Sequence, residues 1–133
     1  MNDDDLVSAA KKAAENAIIP FSGFRVGAAL LASDGRLFAG CNIENPSLSM
    51  SVCAEQVAFM NALSAGAREF TKVAVWADYD QFVTPCGKCR QLILEFAPHA
   101  TVLMADRNGS FMVRKIGELL PLPFRHRQGG DKG

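Results

Sequence analysis

The chain lacks a surplus of charge: fourteen Lys plus Arg stand against fourteen Asp plus Glu, and the pI is near 6.7. Gripping a nucleic-acid backbone takes a basic excess or stripe, because phosphate neutralisation supplies most of the affinity. The charge balance therefore argues against a nucleic-acid partner. No apolar run approaches the roughly 20 residues that span a bilayer, which argues against a membrane partner. The acidic opening Asn2-Asp3-Asp4-Asp5 lacks the positive region of a secretory signal and predicts a cytoplasmic protein. Repeats, low-complexity segments and linkers are missing too, so 133 residues make one domain. Tryptophan and tyrosine are scarce, one of each, but 49% apolar and 21% charged residues lie inside the globular range.

Four cysteines are present: Cys41, Cys53, Cys86 and Cys89. In a reducing compartment, cysteines more often bind metal, catalyse or sit buried than form disulfides. Their placement depends on the elements around them.

Leu6, Ala9, Ala10, Ala13, Ala14 and Ala17 recur at helical period behind an acidic first turn, and Pro20 stops the pattern. Val26 to Ala32, Asp34-Gly35 and Leu37 to Gly40 read as a hairpin. Cys53 to Ala65 is a second helix closed by Gly66, and Val73 to Ala77 a strand apolar on both faces. Thr84 before Pro85 reads as cap and first position of a third helix, Pro85 to Ala97. Thr101 to Ala105 and Phe111 to Val113 flank an Asn108-Gly109 turn, and Lys115 to Leu120 is a short helix. Strands apolar on both faces need cover on both sides. The expected fold is α/β: a three-layer α/β/α sandwich around a five-stranded mixed sheet, with residues 1–124 as the domain and 125–133 as a flexible tail.

Cys86-Gly87-Lys88-Cys89 sets two sulfurs on one face of a helix start, where unpaired N–H groups favour thiolate over thiol. Cys53 opens the other central helix and can reach the same point, giving an open three-sulfur zinc site. Glu55 lies two residues further on. It can converge with Cys53 only if the cysteine sits at the helix entrance and the carboxyl leans back toward the N-terminus. With water in the fourth zinc position, a nearby carboxylate becomes a proton shuttle. Two other readings compete. A dithiol redox pair would use neither Cys53 nor Glu55, and a closed structural zinc module would take Cys41 as its fourth ligand. His99 and His126 read as surface or loop histidines.

Cys53-Ala54-Glu55 and Pro85-Cys86-Gly87-Lys88-Cys89-Arg90-Gln91, together with Pro20 to Ala29 and Cys41-Asn42-Ile43-Glu44-Asn45, resemble the cytidine deaminases over nearly the whole chain. The resemblance implies hydrolysis of cytidine and deoxycytidine to uridine and deoxyuridine plus ammonia, as in pyrimidine salvage. It implies one Zn2+ per chain on Cys53, Cys86 and Cys89, with Glu55 as the catalytic group. Phe24 would lie against the pyrimidine, Asn42 and Glu44 would hydrogen-bond the ribose 3'-hydroxyl, and Ala54 would read the cytosine edge. Phe124 would enter the active site of an adjacent subunit, in a homotetramer with shared sites. A deaminase of a modified cytosine nucleoside such as blasticidin S is the nearest alternative activity. Two positions depart from the family pattern: Gln56 where many relatives carry Arg, and Leu48 where many carry an aromatic. The missing Arg leaves three thiolates and one zinc at net −1, a charge for Lys88, Arg90 and the two helix N-termini to offset.

Overall fold

The computed structural model describes residues 1–125. The expected tail beyond Arg125, and His126 with it, lies outside the described residues. Among them no helix is long and apolar enough to cross a membrane.

Helix α1 (Asp3–Ala14) begins at a capping box in which the Asn2 side chain accepts from the Asp5 N–H and the Asp5 carboxylate accepts from the Asn2 N–H. Strands β1 (Val26–Ala32) and β2 (Leu37–Cys41) form an antiparallel hairpin, and a single 3-10 turn, Leu48–Met50, leads toward α2 (Ala54–Ser64). Then come β3 (Phe70–Ala77), α3 (Gly87–Phe96), β4 (Thr101–Ala105), β5 (Phe111–Lys115) and α4 (Ile116–Leu119). The sheet order is β2-β1-β3-β4-β5, with only β3 and β4 parallel, joined by the α3 crossover.

The central strands are apolar on both faces because both faces are covered. Leu6, Val7, Ala10 and Ala14 of α1 bury Ala29, Ala74, Trp76 and Leu103 on one side. On the other, Ala58, Phe59 and Ala62 of α2, Ile93 and Leu94 of α3 and Ile116 of α4 bury Leu30, Val73, Val75 and Val102. The three expected layers and five strands are present.

Helix α2 approaches β2 at Gly40, where a Cβ would stand 2.5 Å from the Ala58 nitrogen and 2.9 Å from the Ala54 carbonyl oxygen. That contact sets where the start of α2, and so Cys53, comes to rest. The third helix begins two residues later than Thr84 and Pro85 predict: Cys86 is the N-cap and Gly87 the first helical residue. A Thr-Pro pair is a weak local preference, and here it lies in the loop that carries the chain from β3 to the helix. Likewise α1 ends at Ala14, not near Ala17, while β3 starts at Phe70 and β5 continues to Lys115. Of those added residues Thr71, Lys72, Arg114 and Lys115 are polar, which hides them from an apolar pattern, and Thr71 and Lys72 part the buried Phe70 from the run that begins at Val73.

Candidate metal centre and nucleoside cleft

Helices α2 and α3 both begin at the same end of the sheet, and each begins with a cysteine. Cys53 is the N-cap of α2 and Cys86 the N-cap of α3, with Cys89 one turn into α3. Their three sulfurs lie within 4.8 Å of one another, the one such group of potential ligands among the described residues. A tetrahedral zinc with Zn–S bonds of about 2.3 Å places two sulfurs about 3.8 Å apart, so the donor set fits that ion in number, softness and spacing. Cys41 is not part of the cluster: it is buried at the end of β2, where burial raises its thiol pKa. The closed four-sulfur reading loses its fourth ligand, and the dithiol reading leaves the third sulfur unexplained.

The sulfurs polarise one another. The Cys53 thiol is drawn down to about 6 by a hydrogen bond from the Cys89 thiol, with the Lys88 charge and Cys86 assisting against burial. Cys89, which gives that hydrogen bond and is itself buried, is pushed up. A proton shared between two thiols is one that a metal ion displaces on binding, since only thiolates ligate.

Glu55 is 4% exposed, the one buried charged residue among those described. Burial drives its carboxyl up to about 7, the Cys53 charge adds to the shift, and its own backbone hydrogen bond, Cys89 and Lys88 oppose it. The geometric demand on this pair is met, because Cys53 precedes the first turn that contains Glu55. A carboxyl poised near neutrality, against a metal-ligating cluster, can both accept and return a proton.

Gln56 holds the entrance in position: its Oε1 accepts from the Cys53 N–H at 2.8 Å. Arg90 does not turn to the sulfurs. Its Nε and Nη1 donate to the carbonyls of Pro85 at 2.8 Å and Leu119 at 2.9 Å, stapling α4 to the start of α3. Of the two cations expected to face the thiolates, Lys88 is the one whose charge acts on Cys53 and Glu55.

The cluster opens into a cleft of about 390 Å³ lined by Phe24, Asn42, Glu44, Ala54 and Glu55 together with Cys53, Cys86 and Lys88. Leu48, 75% exposed, stands at its rim. Ser51, Val52, Val83 and Thr84 also line it, residues that carry no motif and become visible only when the loops close around α2 and α3. The Phe24 ring meets Tyr79 edge-on, centroids 5.8 Å apart. Phe124 stands outside this cleft, 73% exposed, its carbonyl accepting from Gln91 Nε2 at 3.0 Å.

Three cysteine sulfurs spaced to hold one metal ion, with a buried carboxyl beside them, fit the class of zinc-dependent hydrolases. The sequence profile described as "Cytidine and deoxycytidylate deaminase zinc-binding region" matches residues 1–105, and the chain belongs to this family of zinc-binding deaminases. It is 46% identical to the cytidine deaminase of Sporosarcina psychrophila over 125 residues, which cover 93% of this chain and 92% of that one. It is 42% identical to the cytidine deaminase of Halalkalibacterium halodurans over 127 residues, 95% of this chain and 96% of that one. The crystal structure of cytidine deaminase from Burkholderia pseudomallei superposes with a TM-score of 0.90 at 42% identity, covering 93% of this chain and all of that one. A blasticidin-S deaminase of Bacillus cereus is 37% identical over 107 residues, 74% of this chain and 76% of that one.

Proposed function

We propose that this enzyme hydrolyses cytidine and deoxycytidine to uridine and deoxyuridine with release of ammonia, in the cytoplasm and in the service of pyrimidine salvage. One observation carries the reading: Cys53 and Cys86 of the three-sulfur cluster, the buried Glu55, and Phe24, Asn42, Glu44 and Ala54 line a single cleft. When bound by Cys53, Cys86 and Cys89, zinc supplies a Lewis acid that brings the pKa of water toward about 7. Glu55 takes a proton from the attacking water and delivers it to ring N3 as the C4–O bond forms. It then takes the second proton of that oxygen and passes it to the departing amine, so that uridine and ammonia leave and Glu55 ends as it began. A carboxyl of ordinary acidity would hold neither proton long enough, and burial raises Glu55 into the range where it can.

Phe24 covers the pyrimidine, the Ala54 backbone and Glu55 read its amidine edge, and Asn42 and Glu44 receive the ribose 3'-hydroxyl. That hydroxyl is common to ribose and 2'-deoxyribose, which is why both nucleosides are substrates. The higher identity and fuller coverage of the cytidine deaminases favour this substrate over blasticidin S. Phe124, exposed and outside its own cleft, serves the cleft of a neighbouring subunit in a homotetramer. Thiol ligands need a reducing compartment, which supports the cytoplasmic assignment.

The test is ammonia release by the purified protein from cytidine, deoxycytidine, cytosine and blasticidin S, with zinc per chain measured on the same sample. Turnover of both nucleosides with one zinc per chain is expected. Activity on free cytosine alone would remove the ribose assignment, and preference for blasticidin S would replace it.

A further inference from the structure

The loop between α1 and β1 is folded around a carboxylate that comes from beyond β2. Glu44 Oε1 accepts from the N–H groups of Phe21 at 2.9 Å and Ser22 at 3.1 Å, and Oε2 accepts from the Ser22 hydroxyl. The same hydroxyl oxygen accepts from the Phe24 N–H at 3.0 Å, through a turn that Gly23 permits with φ of +64°. The far side of Phe24 is held as well, because Asn42 Nδ2 donates to its carbonyl at 2.7 Å while Asn42 Oδ1 accepts from Val26 N–H at 3.0 Å. Of the groups in this ring of bonds, Ser22 alone touches both Glu44 and Phe24.

We infer that Ser22 is a positioning residue for nucleoside binding, its hydroxyl fixing the ribose-reading carboxylate and the pyrimidine-covering ring at a set separation. The inference rests on the proposed contacts of Glu44 and Phe24 with the nucleoside, and adds to them a residue without substrate contact. Donor and acceptor counts support it. A carboxylate offers about four acceptor positions. Three are taken here by Phe21, Ser22 N–H and Ser22 Oγ. One remains, in a direction the Ser22 bond dictates, and a single aimed acceptor selects a single sugar hydroxyl. These same bonds, the Ser22 hydroxyl foremost, hold the Glu44 carboxyl below the usual carboxylate range, so the group stays an acceptor.

The test compares Ser22→Ala, Ser22→Thr and Ser22→Val, the last two being near-isosteres with and without the hydroxyl, on cytidine and on 3'-deoxycytidine. Loss of one well-placed hydrogen bond corresponds to about a tenfold effect. Expected for Ser22→Ala and Ser22→Val is a KM for cytidine raised about tenfold with kcat within about twofold, and a smaller rise for 3'-deoxycytidine, which cannot use the aimed acceptor. Ser22→Thr restores most of the loss. Parent-like KM in Ser22→Val, a fall in kcat at parent KM, or equal behaviour of Thr and Val overturns the inference. Glu44→Gln, run beside them, separates the two levels: if it leaves the cytidine KM unchanged, the ribose reading itself fails, whereas a damaged Glu44→Gln beside a parent-like Ser22→Val sinks Ser22 alone. Zinc per chain and the melting transition report that each variant is folded, and the Thr and Val pair decides the matter even where Ala melts early.

Discussion

Two clefts open at opposite ends of the same sheet, and the larger is not the one with chemistry. About 940 Å³ lie at the amino ends of β3 and β4, beside the carboxyl ends of α2 and α3, against about 390 Å³ at the cysteine end. The polarity of the helices separates them. Helix carboxyl ends present carbonyls in excess of donors, and at the large cleft Arg68 donates to the carbonyls of Leu63 in the last turn of α2 at 2.8 Å and of Ala67 just beyond it at 2.9 Å, while Lys72 pairs with the Asp3 carboxylate. Helix amino ends present unpaired N–H groups, and there the chain has placed thiols and a buried carboxyl. The large cleft is compensated, the small one is kept reactive. Volume marks neither state, whereas a desolvated titratable group does.

Glu55→Gln should break the contrast hardest. The amide fills the same space and leaves the sulfurs in place, so zinc per chain stays near one, while kcat falls about a thousandfold or more, the scale of general acid-base catalysis. Steady-state rates beside metal analysis check both halves. Full turnover in that variant would end the shuttle role of Glu55.

A reactive end also costs stability, and the cost has a sign. Glu55 titrates at about 7 in the folded chain against an ordinary value of 4.5, so between those values the folded state binds more protons than the unfolded one. Its contribution is therefore fully present below pH 4.5, declines as pH rises, and is gone above about 7. Glu55→Gln does not titrate. In the zinc-stripped chain it should match the parent near pH 4 and exceed it by about 3 kcal/mol at pH 8, the free-energy equivalent of that shift. Denaturant unfolding at a series of pH values measures this, and a difference that does not grow with pH would show Glu55 to be unstrained.

Much of this arrangement is legible in the residue order, and the illegible parts share a cause. The strands Val26–Ala32 and Thr101–Ala105 fall where apolar runs predict, because burial on both faces leaves a signal that nothing local competes with. Cys53, Glu55, Cys86 and Cys89 are readable because helix starts and metal chemistry both constrain their spacing. The start of α3 is not: Thr84 and Pro85 offer a good local cap, and the tertiary path overrides it. Ser22 is hidden for a different reason. Its partner Glu44 is far along the chain, and a serine beside a glycine reads as a turn whatever its hydroxyl does. Arg90 is the converse case, its placement next to Cys89 pointing to the sulfurs while its bonds go to Pro85 and Leu119.

The small cleft depends on how closely α2 sits on the sheet, which Gly40→Ala tests. The added methyl meets backbone of α2 at 2.5 Å, and backbone cannot rotate away, so the helix must shift and carry Cys53 and Glu55 with it. Overpacking of this kind costs about 1–3 kcal/mol. The expected result is that loss in denaturant unfolding together with a lowered kcat and weakened zinc retention against a chelator. A variant with the stability loss and parent zinc affinity would mean that the site tolerates movement of its own scaffold.

The smallest effect belongs to the large cleft. Lys72→Ala removes an ion pair with Asp3 in which both side chains are about one-third exposed, at 34% and 36%. Solvent screens such pairs, and they contribute about 0.2–1 kcal/mol. The variant should lose no more than that in unfolding free energy, less at high salt, with kcat and KM for cytidine within about twofold of the parent. Because Asp3 opens α1 and Lys72 lies in β3, the pair ties the helical layer on one face to the sheet without touching the start of α2 or α3. A change in kcat on breaking it would therefore require strain to pass along β3 to Val75 and into the reactive end, and the compensated cleft would then be coupled to the small one.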